Sequence, residues 1–269
     1  MTALPTYEVL ACRYATTAPG RSRHENFMPG MDLHDAPMPL DYYVWVIRGN
    51  GRLIVVDTGF GAQAAAERGR VLLHEPTALL RKAGVEPDTV EHVVLTHLHY
   101  DHAGSLDAFP AATFHLQDEE MRYATGRSMC HACLRAPFEL RDVLGAVRLT
   151  YAGRLRFHDG TSELFPGITL HRIGGHTGGL QVVRVMTARG PLVLASDAFH
   201  FSENRDRRAP FPLVYHVGDM LEGFLRCEAL ADGREDLLIP GHDPLVREAW
   251  PALAPDLPDV VRLDLPPKA

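Results

Sequence analysis

The stretch Thr96-His97-Leu98-His99-Tyr100-Asp101-His102-Ala103-Gly104 places three histidines and an aspartate within six consecutive positions. Just upstream, His92-Val93-Val94-Leu95-Thr96 is a short apolar run that reads as a buried strand. His97 and His99 lie two apart, so an extended chain puts both rings on one side. Asp101 and His102 follow where the chain turns, and Gly104 permits a tight exit. Neutral imidazole and carboxylate are first-choice zinc ligands. The spacing serves two cations, with His97 and His99 on one and Asp101 and His102 on the other.

Working outward, other predicted strands end in the same way. Residues 43–48 and 52–57 read as a hairpin around Gly49-Asn50-Gly51, and the second strand runs into Asp57-Thr58-Gly59. Ile168 to Ile173 reads as a strand that leads into Gly174-Gly175-His176. Leu192 to Ala195, preceded by a strand from Leu180 to Met186, leads into Ser196-Asp197. Leu237 to Ile239 leads into Pro240-Gly241-His242. Loops held by a rigid scaffold are where chemistry usually sits. His176 completes the first cation, His242 completes the second, and Asp197 bridges them, because a carboxylate has two oxygens.

Between the strands, helical spacing appears at 62–83 (broken near Pro76), at Asp118 to Tyr123 and at Gly218 to Ala231. Strands followed by helices in both halves predict one α/β domain over 1–269, a sandwich of two sheets faced by helices. Two segments resist this scheme, 15–41 and 124–160, and are expected to be loops that cover substrate.

Bulk composition excludes several classes. Apolar residues are 46% and charged residues 23% of the 269, which is ordinary for a globular chain and unlike a disordered one. The net charge of −7 argues against a phosphate-binding groove or an anionic membrane surface. No apolar run approaches a membrane span, and the N-terminus lacks a basic region followed by an apolar one. Four cysteines in this length are not a disulfide scaffold, so the cytoplasm is the expected location. Cys130-His131-Ala132-Cys133 is read as part of a loop rather than as a third metal site. The expected partner is a small-molecule substrate, with neither nucleic acid nor membrane, and the expected assembly is a monomer or a homodimer. The ligand set of His97, His99, Asp101, His102, His176, Asp197 and His242 implies two divalent metal ions. Zn²⁺ is the first choice, and a mixed nitrogen and oxygen set also accepts Fe²⁺, Mn²⁺ or Co²⁺.

The segment Thr96 to Gly104, with Gly175-His176-Thr177, Ser196-Asp197, Gly241-His242 and the early Asp57-Thr58-Gly59, resembles the metallo-β-lactamase-fold hydrolases. The resemblance spans about residues 40–245 and implies an αββα sandwich, two mixed sheets flanked by helices, with a dinuclear metal centre at one edge. Asp197 is unlike most β-lactamases of this fold. The nearest likeness is to the N-acyl-homoserine lactonases and related small lactonases, including the pyridoxolactonase type. Those enzymes usually carry a tyrosine three residues after the bridging aspartate, and here that position is His200. The resemblance therefore implies a hydrolase that opens a lactone or a small cyclic ester. Asp101 would move protons, and His200 or Tyr100 would donate to the oxyanion. Phe27, Met28, Met31, Leu33 and Tyr215 are the expected substrate contacts. A glyoxalase II-like thioesterase or another ester or cyclic amide hydrolase is the alternative within the fold. A mononuclear iron oxygenase and a non-catalytic binding protein are more distant.

Overall fold

The computed structural model describes residues 4–268. The first sheet is built from β1 (Glu8–Thr17), β2 (Asp41–Gly49), β3 (Arg52–Val56), β4 (Arg70–Leu72), β5 (His92–Val94), β6 (Thr113–Gln117) and β7 (Leu155–His158). The second contains β8 (Thr161–Phe165), β9 (Ile168–Arg172), β10 (Gln181–Thr187), β11 (Gly190–Ser196) and β12 (Leu238–Pro240). A last strand, β13 (Val260–Arg262), returns to the first sheet and pairs with β1. Strand order is β13-β1-β2-β3-β5-β6-β7, with β4 also on β1, and β12-β11-β10-β9-β8 in the second sheet.

Both sheets are mixed. In the first, β3, β5, β6 and β7 run parallel, and in the second only β11 and β12 do. Parallel strands need crossovers, so helices cover them, and their sequences are continuous apolar runs such as Val93-Val94 and Ile54-Val55-Val56. These residues are fully buried, and one apolar cluster joins the inner faces of both sheets. The architecture is the expected α/β sandwich, two mixed sheets covered by helices. The β2–β3 hairpin turns at Asn50 (φ 53°) and Gly51 (φ 71°), the pair of positive φ values that a two-residue turn of this hand requires.

Three local expectations differ from the structure, and one strand is missed. The predicted 62–83 helix is two short helices, Ala62–Glu67 and Pro76–Lys82. Between them Gly69 (φ 62°) turns the chain, and β4 pairs with the end of β1. The second helix begins on Pro76, where the missing N–H costs nothing. Segment 124–160 is not a loop, because Leu140–Tyr151 is a helix burying Val143, Ala146 and Leu149. Its Leu140 and Leu144 are exposed, so apolar residues fall on two faces and blur the stripe. In 15–41, residues 15–17 finish β1 and Arg23–Asn26 forms a short 3₁₀ turn. Pattern reading also misses β1. That strand is buried on both faces and carries Ala and Cys, so it shows no alternation. Among the described residues, no helix is long and apolar enough to cross a membrane.

Candidate metal centre

The polar strand ends named above converge at one edge of the sandwich. β3 delivers Asp57, and β5 leads through Thr96 to the His97–His102 loop and the short helix Tyr100–Ala103. From the second sheet, β9, β11 and β12 lead to His176, Asp197 and His242. All seven expected ligands are at most 9% exposed.

Their ligand atoms fall into clusters. His97, His99, His176 and Asp197 can face one point, and Asp101, His102 and His242 can face another. Asp197 lies between them. Its Oδ2 is 3.1 Å from His176 Nε2 and 3.8 Å from His97 Nε2. Its Oδ1 is 3.0 Å from His242 Nε2 and 3.3 Å from His102 Nε2. Asp101 Oδ2 lies 3.7 Å from His102 Nε2 and 3.8 Å from His242 Nε2.

The far nitrogens of several rings are held by the scaffold. His102 Nδ1 faces Asp57 Oδ2 at 2.7 Å, His176 Nδ1 faces the Leu213 carbonyl at 2.8 Å, and His242 Nδ1 faces the Asp41 carbonyl at 2.9 Å. Each oxygen accepts from Nδ1, so Nε2 is the nitrogen turned inward, as metal coordination needs. Until a cation binds, burial is outweighed by Asp197 and Asp101, which hold His102 and His242 above the usual imidazole range. His97 and His99 are held well below the usual imidazole range by burial and then by neighbouring imidazoles, so both are neutral. Seven buried side-chain polar atoms lack a hydrogen-bond partner among the described residues, and four are here. They are His97 Nε2, His102 Nε2, Asp197 Oδ1 and His200 Nδ1. Orphaned groups each cost about 1–3 kcal/mol. Their convergence in a nitrogen and oxygen donor set fits divalent cations.

Sequence reasoning assigned no role to two supporting carboxylates. Asp57 is fully buried at φ 61° and accepts from Thr96 N (2.7 Å), Thr96 Oγ1 (2.8 Å) and His102. The available signal was its place at a strand end before Thr58-Gly59. Glu120, also fully buried, accepts from Leu98 N (3.0 Å), Thr177 Oγ1 (2.6 Å) and Gly179 N (3.0 Å). It ties the His97–His99 loop to the His176 loop. In sequence it looks like one of three acids in a helix first turn, so nothing local marks it.

His200 is buried, and its Nε2 lies 3.1 Å from Asp197 Oδ2, the same distance as His176 Nε2. Its ring lies flat on Phe211, with centroids 3.6 Å apart and planes 6° apart. Burial pushes its imidazole down to about 3, so it is neutral. His200 also forms a three-donor group with Asp197 and His242. Tyr100 is buried, its phenol pushed up to about 12 by burial, and it accepts from Arg70 Nε at 3.0 Å.

A cavity of about 80 Å³ opens on this centre. Its walls include Arg21, Leu40, Tyr42, Arg70, Tyr100 and Phe211, beside His200 and the ligands. A second cavity, about 180 Å³, shares His99, Pro137 and Leu213 with it and is lined by Tyr123, Cys133 and Tyr215. The expected wall of Phe27, Met28, Met31 and Leu33 lines neither cavity. Phe27 is buried between Arg23 and Arg207, whereas Met31 and Leu33 point to solvent. Segment 15–41 reaches the site through Arg21 and Leu40 instead. Cys130 and Cys133 are exposed and join no three-donor group among the described residues.

Residues 38–242, which hold all seven candidate ligands, match the Metallo-beta-lactamase superfamily. The chain belongs to that superfamily. It is 28% identical over 211 residues to a probable metallo-hydrolase of Mycobacterium bovis, covering 68% of this chain and 65% of that one. It is 26% identical over 166 residues to an N-acyl homoserine lactonase of Bacillus thuringiensis subsp. kurstaki, covering 61% and 60%. The chain thus spans slightly less than two thirds of the length of these curated relatives. The fold is similar to that of a quorum-quenching N-acyl homoserine lactone lactonase, with a TM-score of 0.74 at 20% identity over 90% of this chain and 95% of that one. Superfamily membership explains why donors from four strand ends meet at one edge. In an open α/β sheet, the carboxyl ends of strands are where ligands bind.

Proposed function

We propose that this chain is a metal-dependent hydrolase that opens a lactone or a related small cyclic ester. The observation that carries the reading is the pair of donor groups joined by Asp197 beside a compact cavity. Similarity to N-acyl homoserine lactonases supports it. His97, His99 and His176 would hold one divalent cation, Asp101, His102 and His242 a second, and Asp197 both, with Zn²⁺ the first choice. Bound cations supply Lewis acidity and bring water to hydroxide near neutral pH.

The chain's own residues do the rest. Asp101, at the cavity wall, takes a proton from the nucleophile and returns it to the departing alkoxide oxygen. His200 is neutral and lines the cavity; its one N–H, on the Nε2 that faces Asp197 Oδ2 at 3.1 Å, would serve a developing oxyanion once cations take up that carboxylate. Phe211 backs that ring and keeps it from turning to solvent. Tyr100, anchored by Arg70, lines the same wall as a second donor. Tyr215, in the adjoining cavity, contacts the acyl or leaving group. The reading predicts a small-molecule partner.

A panel of lactones, thioesters, β-lactams and cyclic amides, followed by acid release on the metal-loaded protein, tests the proposal. N-acyl homoserine lactones belong in the panel because relatives are named for them. Lactone opening is expected, and turnover of thioesters alone would replace this reading with a thioesterase. His99→Ala and His176→Ala should each lose activity and bound metal together. Full activity at unchanged metal content would refute the site.

A further inference from the structure

The small cavity holds a positive charge that the metal donors do not use. Arg70 lies on β4, and its Nε donates to Tyr100 Oη at 3.0 Å. Among the described residues it has no ion-pair partner, and its Nη1 and Nη2 make no hydrogen bond. Neither atom is sealed from solvent, and the residue lines the cavity over the centre. Arg52, Arg154 and Arg184 also lack a carboxylate partner but lie outside this cavity. Arg13, Arg23, Arg68 and Arg262 each meet at least one carboxylate.

A second guanidinium lines the same cavity. Arg21 is fixed by Asn26 Oδ1 (2.7 Å) and the Glu25 carbonyl (3.0 Å), and its nearest carboxylate oxygen is 3.8 Å away. Like charges facing one space of about 80 Å³ repel, so an anion between them is favoured. The ligand carboxylates, Asp101 and Asp197, do not offset this charge once divalent cations take their negative charge.

We infer that the substrate of this centre carries a carboxylate, held by the free Nη1 and Nη2 of Arg70 with Arg21 beside it. The inference rests on the lactone reading above and adds the charge of the substrate. A planar two-oxygen anion matches the guanidinium fork, which a neutral acyl chain does not. One hydrogen bond to Tyr100 uses only one of the five N–H groups of Arg70.

The test compares two lactones that differ only in charge, γ-butyrolactone γ-carboxylate and its neutral carboxamide, on metal-loaded protein of verified metal content. Wild type should favour the carboxylate by about tenfold or more in kcat/KM, mainly through KM, the effect of one charge-assisted hydrogen bond. Arg70→Gln should bring that ratio near unity, and Arg70→Lys should restore part of it. An equal ratio in wild type and Arg70→Gln overturns the inference. Should wild type open neither lactone, the lactone reading fails and binding decides the Arg70 assignment. Calorimetry should then show that Arg70→Gln weakens succinate binding about tenfold relative to wild type while leaving binding of the uncharged succinamide unchanged. No difference between the two proteins would overturn the inference.

Discussion

Asp57→Asn tests how the scaffold prepares one half of the centre. Asn keeps the volume and tolerates the positive φ of 61° at this position. It cannot accept from Thr96 N at 2.7 Å and from His102 Nδ1 at 2.7 Å at once, because one oxygen becomes an NH₂. With the amide oxygen kept on Thr96 N, the NH₂ faces His102 and favours the proton on Nε2. That is the nitrogen aimed at Asp197 and the ligand group of Asp101 and His242. Metal binding there must now restore the other tautomer against a donor. Loss of such an orienting group typically costs 10- to 100-fold in metal affinity, about 1.4–2.8 kcal/mol. The group formed by His97, His99 and His176 makes no contact with Asp57 through its ligand nitrogens and should keep its affinity. Competition with a chromophoric chelator, read for each binding step, should therefore show one weakened step and one preserved step. Equal weakening of both steps, or no weakening in a protein of normal melting temperature, would refute the reasoning.

His200→Ala should lower kcat by about 10²–10³ on the preferred substrate, and His200→Tyr should retain more of it. An alanine variant with wild-type kcat would remove His200 from the chemistry. Asp142 has a buried Oδ2 without a partner, and burial raises its carboxyl from 3.8 to about 7. The ionisation penalty is thus absent below about pH 4, grows with pH, and is complete above about pH 7. Asp142→Asn should stabilise the fold at pH 8 by up to ~4 kcal/mol, with the gain vanishing near pH 4. Urea melts that show the same gain at both pH values would locate the effect elsewhere.

The cluster of candidate donors was legible because metal chemistry is local in sequence. His97, His99, Asp101 and His102 sit in one loop, and His176, Asp197 and His242 each follow a strand with a glycine or serine before them. Strand ends were legible where apolar runs were short and bounded, as at β5 and β11. They were illegible at β1, where burial on both faces removes alternation, and at Leu140–Tyr151, where exposed leucines blur the helical stripe.

By itself the sequence determined the superfamily and named seven candidate donors, because imidazoles and carboxylates at strand ends are rare and the strands carry them in order. Tertiary structure decided what surrounds the donors. Arg21, Arg70, His200 and Phe211 come from four separate segments, yet they line one cavity. Phe27 and Leu33, apolar and near Arg21 in sequence, lie outside it. Glu120 became a brace between two ligand loops only because helix Asp118–Thr125 packs against both. The walls of a site are long-range contacts set by packing, and no local pattern encodes them. Donor identity is a property of the residue itself, so the chain announces it directly.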